Sequence, residues 1–170
     1  MSSRSILLLA MGCASLVGCG QAKDGSPDTN SSAPDAAYLL DSEPAGAVGV
    51  AQGRKSTDEE VTIVGRIGGS AKPFVNGLAA FTIVDPKVPY CAPEEGCPTP
   101  WDYCCETNQL KDNSATITIV DDQGTPIAGD AKSLLGVKEL STVVVHGKAQ
   151  RDDQGNLTVA ARKVFVRQDQ

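Results

Sequence analysis

The chain is poor in the groups that do chemistry. It has a single histidine, His146, so no second histidine joins it as a metal ligand or base, and it reads as an outward-facing position on a strand. No serine elbow, metalloprotease motif or other nucleophile with a base at recognisable spacing is present, which argues against an enzyme. Gly68-Gly69-Ser70 follows an apolar run, but no helix with a lysine comes after it, so it is not a phosphate loop. Asp121-Asp122 and Asp152-Asp153 do not continue into a calcium loop and read as turn residues. Aromatics are scarce, with one tryptophan, three tyrosines and three phenylalanines in 170 residues. Basic charge is short as well. Without Arg4, near the start, 14 Lys and Arg face 21 Asp and Glu, a net of −7 that leaves no nucleic-acid footprint. Long apolar runs are also missing: the stretch over residues 6–18 is too short to span a bilayer as a stable helix.

That stretch does have the length of a signal-peptide core. It ends in Leu16-Val17-Gly18-Cys19, which resembles a bacterial lipobox. The resemblance implies a signal peptide over residues 1–18 and an acylated Cys19 that anchors the chain to a membrane. Gly20 follows in place of an aspartate, which by resemblance to the sorting of such lipoproteins implies the bacterial outer membrane, facing the periplasm. Residues 19–56 are then the lipidated cysteine and a tether. Between residues 21 and 35 there is no large apolar side chain to offset the entropy of ordering. Tyr38-Leu39-Leu40 and residues 47–50 are its two apolar islands, the places where it could dock on the domain. A free tether predicts that deleting residues 20–55 leaves the thermal midpoint of the domain unchanged.

The folded domain is expected over residues 57–170. Alternation at period two and β-branched residues predict strands at 61–67, 79–85, 115–121, 141–150 and 157–167. A short helix is predicted at 130–136, capped by Asp130 or Gly129 and stopped by Gly136, with a hairpin loop at 151–156. The expected core is Val61, Ile63, Phe81, Ile83, Ile117, Ile119, Val143 and Val145. Three strands, a helix and a hairpin make the order of a five-stranded OB barrel, an all-β fold with its helix between strands three and four. The run from Thr142-Val143-Val144-Val145-His146-Gly147-Lys148 through Asn156-Leu157 resembles the last hairpin of OB domains of the anticodon-binding type. The runs at 64–69, 97–105 and 134–140 resemble those of uncharacterised bacterial envelope proteins, a likeness that implies a fold and no activity.

Between strands two and three lies a cysteine-rich insertion, residues 86–113. It holds Cys91, Cys97, Cys104 and Cys105, four of the six cysteines, and the only tryptophan. In an exported protein four thiols read first as two disulfides, with the pairing of the neighbours Cys104 and Cys105 the least favourable. The alternative is a metal or thiol-redox site. Spacing weighs against a metal, because there is no Cys-x-x-Cys knuckle and adjacent ligands point to opposite sides of an extended backbone. Trp101, Asp102 and Tyr103 have the make-up of a sugar or peptide contact. The plainer reading is that Trp101 anchors the flap to the barrel.

The sequence therefore reads as a membrane-anchored envelope lipoprotein with an OB-like binding module and no cofactor. Its partner would be an envelope protein, a peptide or an oligosaccharide. The competing class is a metal or redox protein built on the four cysteines.

Overall fold

The segments that alternate at period two are the strands of the computed structural model, which describes residues 34–56 and 59–168. The signal segment, Cys19 and residues 20–33 lie outside the described residues. The long strands are β2 (Glu60–Ile67), β3 (Ala80–Val84), β4 (Ser114–Ile119), β5 (Thr142–Arg151) and β6 (Leu157–Val166). A two-residue strand, β1 (Val48–Gly49), pairs in parallel with β2. The fold is mainly β, with three short α-helices among the described residues: α1 (Val50–Gly53), α2 (Thr107–Asn113) and α3 (Ala131–Leu135). No helix among the described residues is long and apolar enough to cross a membrane.

The long strands pair in the order β2, β3, β4, β6, β5, and β5 pairs back on β2, so the pairings form a ring. The seam between β2 and β3 is thin, with only Arg66↔Val84 and Ile67↔Ile83 in register. The β2–β5 seam runs from Glu60↔Lys148 to Arg66↔Thr142. Alternation puts one side of each strand inward, and all eight expected core residues lie in the main hydrophobic cluster with Leu135, Leu157 and Val159. α3 is set as its sequence predicts. Asp130 accepts from the backbone N–H groups of Lys132 and Ser133, and Gly136 ends the helix in the left-handed region at φ 66°.

Where β5 bulges, between His146 and Gly147, the two strands approach so closely that only glycine fits. A Cβ on Gly147 would meet the Ala160 carbonyl oxygen, a backbone atom that cannot swing away. Gly147→Ala is therefore expected to cost about 1–3 kcal/mol, the range for overpacking a closed site, and to lower the denaturant midpoint.

The tether expectation holds for none of the described part of that segment. Residues 34–56 pack on the strands. Val50 is fully buried in the main core, and Tyr38 and Leu39 pack against it. Leu39 bridges Val164, and the Leu40 N–H bonds the Val164 carbonyl at 3.0 Å. Arg54 donates to the carbonyls of Ser114 and Gly155. Arg167 donates two bonds to Glu43, which hold that carboxyl below its ordinary range. The buried carboxylate of Asp85 accepts from the Ala51 N–H at 3.1 Å and so ties α1 to the end of β3. Few but well-placed apolar residues are enough to dock a segment that composition alone reads as free.

Candidate metal centre

The insertion leaves the ring at the thin β2–β3 seam and is pinned at its base. The Asp85 N–H bonds the Asn113 carbonyl at 2.8 Å, one step beyond the Val84↔Ser114 pair. Its far end is pinned at Gly69, whose N–H bonds the Trp101 carbonyl at 2.8 Å. A Cβ on the neighbouring Gly68 would strike that same carbonyl, so glycine here lets the flap lie against the seam.

The flap has a small core of its own, formed by Val84, Val88 and Tyr103 with Leu110 of α2 packed on it. Tyr103 is the buried anchor, and Trp101 holds the edge of the flap by hydrogen bonds. Tyr103 is 0 % exposed, which removes it from any ligand-contact surface. Trp101 is half-buried and donates its indole N–H to the Ala71 carbonyl at 3.3 Å. The Tyr103 hydroxyl is buried, with the Arg66 guanidinium as its polar neighbour. Burial raises its pKa, and the Arg66 guanidinium acts against that rise. Tyr103→Phe deletes a buried hydroxyl that faces the Arg66 guanidinium and is expected to change the stability by no more than about 1 kcal/mol. Tyr103→Ala should instead free residues 86–113 to exchange their amide hydrogens, at a cost of about 3–5 kcal/mol to closing the flap. Deuterium uptake by mass spectrometry reads both variants.

Tyr103 also turns the chain. Its φ of 58° is left-handed, a conformation rare for an aromatic residue. The turn before it, Pro100–Asp102, is closed by the Asp102 N–H on the Thr99 carbonyl at 2.9 Å. The Asp102 carboxylate accepts from the Thr99 hydroxyl at 2.6 Å and from the Cys104 N–H at 2.9 Å. Those two bonds hold its pKa below the usual carboxylate value, the Thr99 bond foremost. Asp102 is therefore engaged in placing Cys104. The Thr-Pro-x-Asp spacing with proline in the first helical position is the signal of this turn that the sequence carried.

Because Cys104 and Cys105 sit on a turn and not on an extended strand, both sulfurs reach the same place. This removes the objection that adjacent ligands diverge, while the cluster still has no Cys-x-x-Cys knuckle. The separations are 3.3 Å for Cys97–Cys104, 3.5 Å for Cys91–Cys104, 3.7 Å for Cys91–Cys105 and 3.9 Å for Cys104–Cys105. All four sulfurs lie within 4.8 Å of one another. No two of the sulfurs stand at the about 2.05 Å of a bridge, while Cys91–Cys105 and Cys97–Cys104 are in contact as the two expected disulfides would also require. A tetrahedral ion bound by four thiolates at about 2.3 Å places its sulfurs about 3.8 Å apart, near the upper end of those four contacts and inside the 4.8 Å that spans the whole cluster. Four sulfur donors suit zinc or a softer ion such as copper(I).

Each thiol is tuned by the others. The Cys105 backbone N–H lowers the pKa of Cys91. Cys97 is raised, chiefly by its contact with Cys104, and Cys105 is pushed up to about 12, chiefly by Cys91. Cys91 is buried, Cys97 half-buried, and Cys104 and Cys105 are exposed.

The remaining sequence candidates lie elsewhere. His146 is exposed, with Thr62 Oγ1 3.0 Å from Nδ1 and Glu60 3.7 Å from Nε2, neighbours supplied by strand pairing and invisible in linear sequence. It borders a half-open cavity of about 520 Å³ walled by Tyr38, Leu40, Val120 and Lys163. Asp121 and Asp152 cap their own turns by accepting backbone N–H groups, as expected.

No protein-family model matches the chain, and neither does any curated protein. Among solved structures it is similar to an aspartyl-tRNA synthetase from Leishmania major Friedlin, with a TM-score of 0.37 and 9 % identity. The match covers 78 % of this chain and 23 % of that one, so the chain spans less than a quarter of the synthetase's length.

Proposed function

We propose that the protein is an envelope-tethered lipoprotein whose OB-like barrel carries one soft metal ion in the thiolates of Cys91, Cys97, Cys104 and Cys105. The observation that carries the reading is the arrangement of the sulfurs: all four lie within 4.8 Å of one another, and their four contacts of 3.3–3.9 Å reach the edge length of a tetrahedron around zinc. The barrel rests on the ring of strand pairings and on the helix between the third and fourth long strands, the OB order. The envelope address rests on the lipobox-like Leu16-Val17-Gly18-Cys19. In this reading Asp102 and Tyr103 shape the turn that delivers Cys104 and Cys105, and Trp101 edges the site.

The test is a titration of the reduced protein with cobalt(II), then zinc. One equivalent of cobalt should produce sulfur-to-metal charge-transfer bands and the visible bands of a tetrahedral ion, and one equivalent of zinc should abolish them. Weak octahedral bands, or no saturation at one equivalent, would sink the reading.

A further inference from the structure

We propose that this centre exchanges its metal ion with a thiolate carrier, so that it is a transfer site and not a staple of the fold. The inference rests on the metal reading above and adds what the placement of the ligands says about it. A structural metal sits where the fold needs it. Here the main core is complete without the cysteines: none of them is among its twenty buried residues, which run around the ring from Val50 to Val164. The flap is also held without metal, by the Asp85–Asn113 and Gly69–Trp101 backbone bonds and by buried Tyr103. An ion at the four sulfurs would therefore contribute little that the fold lacks.

The ligands are also unequally shielded. Only Cys91, 2 % exposed, is closed to solvent. Cys97 is half-open, while Cys104 and Cys105 are exposed on one turn. An incoming thiolate therefore has a clear approach to the ion from the side of the adjacent pair. Zinc imposes no geometric preference through its d electrons and can pass through five-coordination, so exchange needs no prior dissociation. The step balances: the carrier's thiol gives its proton to solvent and its sulfur bonds the ion. The Cys104 or Cys105 sulfur then leaves and takes up a proton. Repeating this at the remaining ligands moves the ion with no change of oxidation state. Beside the cluster, Tyr90, 41 % exposed and lying under Arg66 at 4.9 Å, and half-buried Trp101 offer aromatic surface for a carrier to rest on.

The experiment loads the full chain with one equivalent of zinc and mixes it with rising concentrations of a dithiol, dithiothreitol, with a chromophoric chelator reporting the zinc released. Release should accelerate in proportion to dithiol, a tenfold rise in concentration giving about tenfold faster transfer, as associative exchange at an open ion requires. The deuterium uptake of residues 86–113 should stay slow throughout. A release rate that ignores dithiol concentration and equals the opening rate of the flap would overturn the transfer role while leaving the metal centre standing. If the protein retains no zinc before the dithiol is added, the metal reading itself fails, and the transfer role with it.

Discussion

Cys91→Ser is expected to weaken zinc binding by more than about 100-fold, beyond the 10–100-fold that loss of a supporting contact behind a ligand costs. Cys91 is the ligand with the least freedom to be replaced. It is buried, it contacts both Cys104 and Cys105, and the Cys105 N–H already favours its ionised form. Water cannot take its place as it could at exposed Cys105. Because the serine is smaller than the cysteine and sits outside the main core, the thermal midpoint of the metal-free protein should hardly move. Competition against a chromophoric chelator measures the affinity, and circular dichroism checks the fold. Affinity unchanged within a few-fold would mean that the ion, if bound, lies elsewhere.

The second large effect concerns the segment that composition marks as a tether. Deleting residues 34–56 should cost roughly 3–6 kcal/mol. About 1.5–3 of this comes from exposing the pocket that Val50 fills, and the rest from lost hydrogen bonds of Arg54, at about 1.5–3 for a charged donor. It would also strip Asp85 of the Ala51 N–H and leave a buried carboxylate underpaired. The thermal midpoint should fall by on the order of 15 °C for a domain of this length. Gly49→Ala is the single-residue version, since its Cβ would collide with the Asp85 carboxylate. A midpoint within about 2 °C of the intact chain, a shift worth well under 1 kcal/mol, would show that the segment's contacts carry no weight.

Much of the sheet was legible because it is written in local pattern. Alternation located all five long strands within two residues at either end, and Asp130 with Gly136 bracketed α3. Burial of Val61, Ile63, Phe81 and their partners follows from the same period. What stayed hidden depends on contacts between distant residues or on single backbone angles. Val48 and Val50 form too short an apolar island to read as packed, and the burial of Val50 shows only once Val48 pairs with Ile63. α2 has one packed apolar residue, Leu110, and hence no helical period to read. The cluster of sulfurs hinges on the left-handed Tyr103, which no pattern announces for a tyrosine. Scarcity of aromatics did signal that one must anchor the flap. It could not say that Tyr103 turns inward while Trp101 stays at the edge.

The most direct measurement of the central claim is the mass of the protein purified without reductant, taken under native conditions and again after a chelator, with alkylation of the cysteines at each stage. A thiolate metal centre predicts one metal ion in the native mass. Cys91, Cys97, Cys104 and Cys105 should be slow to alkylate until the chelator is added and should then all label without any reductant. A native mass without metal and short of four hydrogens, with the same cysteines labelled only after reduction, would contradict it and restore the two disulfides.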